Sequence, residues 1–444
     1  MVEVKDSPYV SQFSELEKSW GDAWHAAGRR EAIRRFEELG FPTRRQERWK
    51  YTNVTALART AFSPIDPAST TAPGRESLGV YDFSDLQTTR LVFLNGRFEA
   101  SLSVIPELPD RLHAGSLGRA LEEGSQLVRG SLGRLLAEHS DHAFVALNEA
   151  FFEDGAFVHV RKGAAIDQPV HLLFLTTESA DATVSYPRIL VVLEESAQLT
   201  LIEDYASLGG QTSLTNSAVE ITVGENAALD HYRLLRESRA SSHVSAVSVR
   251  QERCSRFSSF AACVRGKFVR NDVAVLLDGE DCECTLYGIV VAAEEQHVDN
   301  QTRIVHRRAN CRSWEVYKTI LGDRATGVFN GKIYVHPEAQ KTDAKQTNMS
   351  LLLSERAEMN SKPELEIYAD DVRCTHGATV GQLDDEALYY LRSRGIDRDS
   401  ARNILTFAFA RDVLSQIRPE ALREVVQDLV AEKLPRGDLL EDFR

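Results

Sequence analysis

The sequence has no excess of positive charge. Its 52 Lys and Arg stand against 66 Asp and Glu, a formal net charge of −14, which excludes a surface built mainly for nucleic acid or anionic lipid. The nearest thing to a basic patch, RRQERWK at Arg44–Lys50, reads as a solvated strand or helix face. No apolar run approaches the ~20 residues needed to cross a bilayer. The opening MVEVKDSPYVSQF has no basic stretch leading into an apolar core, so no secretory signal is expected and the location is expected to be cytoplasmic. Cysteine is scarce and never spaced CxxC; in a reducing compartment Cys254, Cys263, Cys282, Cys284, Cys311 and Cys374 are expected to be thiols. Nucleotide loops are missing too. GDRATGVF spaces Gly322 and Gly327 as a phosphate-binding loop does, but Val328 and Phe329 stand where Lys and Ser/Thr are required. Neither GxGxxG nor GxSxG occurs, so any ATP-driven work must use an ATP site on another subunit.

What is present divides into three stretches. Residues 1–150 read as a mixed α/β domain. Phe13, Leu16, Trp20, Trp24, Ile33 and Phe36 fall at helical spacings until Gly40 and Pro42 end the pattern. Ser63–Ser77 is rich in Pro, Ser, Thr and Gly and reads as a linker, and TTRLVFLNGRFEASLS places a hairpin at Asn95-Gly96. From 151 to 381 short strands follow one another, with breaks at Gly224-Glu225-Asn226, Asp278-Gly279-Glu280 and Gly322-Asp323-Arg324. That length is too great for one sandwich and favours a repeat. Small residues after polar turns, at Ala197, Ala227, Cys254, Cys282 and Cys311, recur about every 28 residues, as in the coils of a parallel β-helix. Residues 382–444 return to helix: Asp384 caps the first, Asp397 or Asp399 the second, and Pro419 opens the third. Ile404, Phe407, Ala408 and Ile417 form an apolar face on the second.

Candidate chemistry is sparse. Cys282-x-Cys284 puts two thiols on one strand face, which reads as interior packing in the absence of a second pair. Cys374-Thr375-His376 also puts thiol and imidazole on one face, and these are ligand types that hold iron and iron–sulfur species. Asp370 and Asp371 are near enough in sequence to orient the imidazole. Because many parallel β-helices cleave polysaccharides, an autonomous hydrolase or lyase using Asp343, Glu364, Glu366 and Asp370 is the enzyme alternative.

The long runs Lys362–Ile396 (KPELEIYADDVRCTHGATVGQLDDEALYYLRSRGI) and Tyr317–Ser354 (YKTILGDRATGVFNGKIYVHPEAQKTDAKQTNMSLLLS) resemble the SufB/SufD family of the SUF iron–sulfur cluster assembly system. His297–His306 (HVDNQTRIVH) and Phe41–Val54 (FPTRRQERWKYTNV) fit the same family, so the resemblance covers nearly the whole chain. SufB-like chains carry a His-Glu-Ala element, whereas here His376 is followed by Gly377-Ala378; with RRQERWKYTN and Gly381-Gln382-Leu383-Asp384, this sets the chain on the SufD side. The resemblance implies a mainly β fold, a right-handed parallel β-helix core between an N-terminal α/β domain and a C-terminal helical domain. It implies a non-catalytic scaffold that pairs with SufB through the late coils and docks the ATPase SufC on helices around Ile404, Phe407 and Phe409. His376, with Cys374 beside it, is implied at the interface where a nascent cluster forms, His376 either as an iron ligand or as a residue that shapes that interface. Some assemblies of the family bring in a reduced flavin, for which no residues are assigned here. A homodimer doubling Cys374 and His376 across a two-fold axis is the remaining arrangement to consider.

Overall fold

The computed structural model describes residues 8–18, 25–67, 70, 72–106, 110–139 and 141–434. Trp20 and Trp24, and part of the Ser63–Ser77 linker, lie outside the described residues. The chain is mainly β, a solenoid of about eight turns with an N-terminal α/β region and C-terminal helices.

Each coil of the solenoid contributes one strand to each of two facing parallel sheets, so sequence neighbours alternate between sheets. One sheet runs through Gly155–Val160, Arg188–Leu193, Ser213–Val223, Ser241–Gln251, Phe268–Leu277, His297–His306 and Thr326–Val335 to Glu358–Ile367. The other runs through Val170–Thr176, Gln198–Ser207, Ala228–Arg236, Arg256–Cys263, Glu283–Ala292, Arg312–Leu321 and Asp343–Leu352 to Arg373–Gly381. Pairing is in register, so every second residue stacks inward above its counterpart in the previous coil. The early interior is apolar, filled by residues such as Leu172, Ile189, Leu199, Val219 and Leu229.

The turns explain the repeat and correct one member of it. Ala197, Ala227, Cys282 and Cys311 do share one phase, immediately before paired strands, but the middle member is Ser255 rather than Cys254. Cys254 lies one residue earlier, at φ 57°, in a left-handed turn position also held by Ser196, Asn226, Asp281 and Asn310. Asn and Asp tolerate that conformation best, and the cysteine there hides the phase in the sequence.

The Asn95-Gly96 hairpin forms, but it does not stand apart. Thr89–Leu94 pairs antiparallel with Arg97–Phe98 and parallel with Val170–Thr176, adding itself to the start of one solenoid sheet. Leu112–Ser116 covers the start of the other sheet by pairing antiparallel with Gly155–Val160. At Gly155, φ is 149° and an added Cβ would lie 1.8 Å from the Arg188 carbonyl oxygen. Gly155→Ala is therefore expected to destabilise the first coil by more than about 1 kcal/mol, read as a lower urea midpoint; an unchanged midpoint would refute this reading of the contact.

Helices cover both outer faces. Pro8–Glu17, Ala26–Leu39 and Ala143–Phe151 bring Tyr9, Phe36, Phe144 and Phe151 against Phe157, Leu190 and Val192 of the first sheet. Arg398–Leu414 and Glu420–Ala431 bring Phe407, Val413, Leu422 and Val426 against Tyr232, Phe260, Ile289 and Ile320 of the second. Asp384 and Asp397 cap their helices as expected, each carboxylate accepting two backbone N–H groups.

RRQERWK is solvated at Arg44, Arg45, Gln46, Glu47 and Lys50, as expected, but not at Arg48 and Trp49. Trp49 is buried, with Arg270 Cζ 3.6 Å from its ring centroid, and Arg48 donates to Asp272 at 2.6 Å. This segment clamps the N-terminal region onto the flank of the solenoid.

Candidate functional site

Both sheets end without a capping strand. Glu358–Ile367 and Arg373–Gly381 are paired on one side only among the described residues. Burial falls away accordingly: Arg188–Leu193 is wholly buried, whereas nearly all of Arg373–Gly381 is exposed. Ile367, Tyr368 and Val380 are 38%, 57% and 47% exposed, and the following helix Asp385–Ser393 buries nothing and displays Tyr389 and Tyr390. An edge with free backbone groups and exposed apolar side chains is a template for another chain.

Cys374 and His376 both lie on this last strand. Their register partners are Ala344 and Gln346, which are buried inside the preceding coil, so both side chains occupy inward-facing positions at the open end. Cys374 packs beside Ile333, Val335 and Ala344, and burial raises its thiol pKa. His376 is exposed. Thiol and imidazole are ligand types that hold iron, and both lie at the open end of the stack. Among the described residues, no group of three or more His, Cys, Asp or Glu is gathered as a metal site.

The other candidates fall elsewhere. Cys263, Cys282, Cys284 and Cys311 are buried; Cys282 and Cys311 both lie 3.2 Å from the Gly279 carbonyl oxygen. The four carboxylates of the enzyme alternative are scattered: Glu366 pairs with Lys332 at 2.7 Å and Glu364 with Lys362 at 2.8 Å, Asp343 is on the opposite sheet, and Asp370 is in the turn. Asp371 pairs with Lys341. Phe407 is buried in the helix–sheet contact, and Ile404 and Phe409 flank it, with the Phe409 carbonyl accepting from Lys318 at 2.7 Å. Their apolar side chains are thus used within the chain, which leaves the polar side of that helix outward. Ala408 is exposed, contrary to its place on the expected apolar face.

Sequence reading missed what lies directly beneath His376. Glu315, Gln346 and His376 form one inward column. Gln346 Nε2 donates to Glu315 Oε2 at 2.7 Å, and both residues are buried. Burial pushes the Glu315 pKa up to about 7, although the neighbouring Thr302 and the Gln346 amide favour the ionised form. The signal was available in RSWEVYKTIL, where Ser313, Glu315 and Tyr317 take alternate, inward positions set by the turn phase.

A solenoid whose last coil is unpaired on its far side among the described residues, with a thiol and an imidazole at that opening, is the structural class the geometry defines. Comparison with known proteins makes the class specific. Residues 174–409 match the SUF system FeS cluster assembly, SufBD core domain, and residues 9–172 match the SufBD protein N-terminal region. The chain belongs to this SufBD family. It is 32% identical over 401 residues to the iron–sulfur cluster assembly protein SufD of Escherichia coli, covering 90% of each chain. It is 31% identical to an iron–sulfur cluster assembly SufBD family protein of Synechocystis, over 88% of this chain and 87% of that one. A chloroplastic Arabidopsis thaliana protein, ABCI7, is 30% identical over 88% of this chain and 82% of its own. No helix among the described residues is long and apolar enough to cross a membrane.

Proposed function

We propose that the chain is the SufD-type scaffold of an iron–sulfur cluster assembly complex, pairing end-on with SufB and docking the ATPase SufC. The observation that carries this reading is the uncapped last coil, which holds His376 and Cys374 at inward positions of an unpaired edge. A SufB solenoid meeting that edge would supply the missing neighbour strands and enclose the two side chains. The cluster is cargo built there: His376 serves as an iron ligand, and Cys374 lies one coil-facing position away. SufC binds the outward face of the Arg398–Leu414 and Glu420–Ala431 helices, whose inward face is occupied by the solenoid. Its ATP-driven movement then strains the edge-to-edge contact and opens the site. The isolated chain turns over no substrate, it works in the cytoplasm, and any reduced flavin belongs to the assembled complex.

Co-purification with cognate SufB and SufC tests this, comparing wild type with His376→Ala under anaerobic conditions. Normal assembly with an about tenfold or greater loss of iron and acid-labile sulfide is expected, the scale on which metal-site changes act. Unchanged cluster content would remove His376 from the chemistry, and failure to co-purify with SufB even in the wild type would remove the end-on pairing.

A further inference from the structure

Ser255, Cys282, Cys311 and Thr342 occupy one position of the coil, each immediately before a paired strand. Three of them close their own turn. The Ser255 hydroxyl donates to the Glu252 carbonyl at 2.6 Å, the Cys282 thiol to the Gly279 carbonyl at 3.2 Å and the Thr342 hydroxyl to the Ala339 carbonyl at 2.8 Å. Cys311 turns to the preceding coil. Its sulfur lies 3.2 Å from the Gly279 carbonyl oxygen, the one that Cys282 already uses.

Two thiols therefore converge on one oxygen. The Arg312 N–H donates to the Cys282 carbonyl at 2.9 Å, which makes Cys282 and Cys311 direct neighbours in adjacent coils, at the strand spacing of about 4.8 Å. Disulfides span Cα separations of about 4.4–6.8 Å. Both residues are free thiols, buried one residue behind the exposed Asp281 and Asn310. When Cys282 ionises, the Cys311 S–H donates to it; this bond lowers the Cys282 pKa against the opposing effect of burial and raises that of Cys311. Such an asymmetry separates a nucleophilic thiol from a resolving one.

We propose that Cys282 and Cys311 are a reversible dithiol, which a hydroperoxide converts into a disulfide joining two successive coils. The Cys282 thiolate attacks one peroxide oxygen and the O–O bond breaks. Cys282 becomes a sulfenic acid, and the proton lost on its ionisation leaves with the other oxygen as water or an alcohol. The Cys311 sulfur then displaces the hydroxyl from the Cys282 sulfur. The S–S bond forms, and water leaves with the Cys311 proton. The thiols lose two electrons in all and the peroxide gains them; a small dithiol reverses the change. Neither Cys374 nor His376 takes part.

The test exposes the full, folded chain to hydrogen peroxide, followed by denaturation, alkylation, trypsin digestion and mass spectrometry. The peptide Ala309–Arg312, which holds Cys311, is expected to be joined to Asn271–Arg303, which holds Cys282, and to be released by dithiothreitol. Asn271–Arg303 also holds Cys284, so variants decide between the two. The joined peptide is expected to vanish in Cys282→Ser and to persist in Cys284→Ser. Serine already fills this position one coil earlier, at Ser255, so Cys282→Ser keeps its turn closed. In Cys311→Ser the reaction is expected to stop at the Cys282 sulfenic acid, which a 1,3-diketone traps. Cys282 is expected to react about tenfold or more faster than the interior Cys263, whose pKa burial raises. No joined peptide in wild type, a joined peptide that survives Cys282→Ser, or equal rates at Cys282 and Cys263 would overturn the proposal.

Discussion

Arg270→Met is expected to lower the folding stability by about 3–5 kcal/mol, the scale of breaking one partner out of a buried charge network. Arg270 is fully buried on the flank of the solenoid. It donates to both oxygens of Asp272, at 2.8 and 3.2 Å, to Asp299, and to the Arg48 carbonyl oxygen at 2.9 Å. Asp272 also accepts from Arg48 and meets His142 Nε2 at 3.1 Å, while Asp299 accepts from Thr52 at 2.6 Å. Burial by itself would raise the Asp272 pKa; Arg270, Arg48 and His142 outweigh it and hold the carboxyl well below the usual range. Removing the guanidinium leaves the buried Asp299 carboxylate without its cation, leaves Asp272 only Arg48 and His142, and frees Trp49 from its cation contact. Urea unfolding measures the loss, and the triple variant Arg270→Met/Asp272→Leu/Asp299→Leu should recover much of it by abolishing the stranded charges. A loss below about 1 kcal/mol, the range of an exposed pair, would mean that the network is solvated.

Glu315→Gln should stabilise the chain at alkaline pH and leave it unchanged in acid. The folded pKa of Glu315 is raised from 4.5 to about 7, so between those values the folded state binds more protons than the unfolded one. Its contribution is fully present below about pH 4.5 and is lost as pH rises through about 7. The shift corresponds to roughly 3 kcal/mol. Unfolding free energies of wild type and variant, measured from pH 4 to 8, should therefore diverge over that window, with the variant the more stable at the upper end. Parallel curves would show that the carboxyl is solvated in the folded state.

These two sites mark where the sequence stopped being readable. Strand alternation, turn residues and caps such as Asp384 and Asp397 act over a few residues, and they were legible. The coil phase was nearly so; Cys254 misled because a small residue stood where the turn needs a left-handed backbone. The clamp formed by Arg48, Trp49, Arg270 and Asp272 joins segments more than 220 residues apart, and nothing local distinguishes it from a charged surface. Arg270 and Asp272, opposite charges two apart on one strand face, were the only hint. At the candidate site, the family motif pointed to Cys374 and His376, and alternation gave their common face. The support beneath them was missed because Glu315 and Gln346 become neighbours of His376 only once the coils stack.

The covered start and open end give the molecule a direction. Leu112–Ser116 and Arg97–Phe98 run antiparallel to the strands they pair with, whereas the last coil pairs only in parallel. The two ends therefore present different backbone hydrogen-bonding patterns. The solenoid is a polar stack, with unlike faces at its beginning and its end.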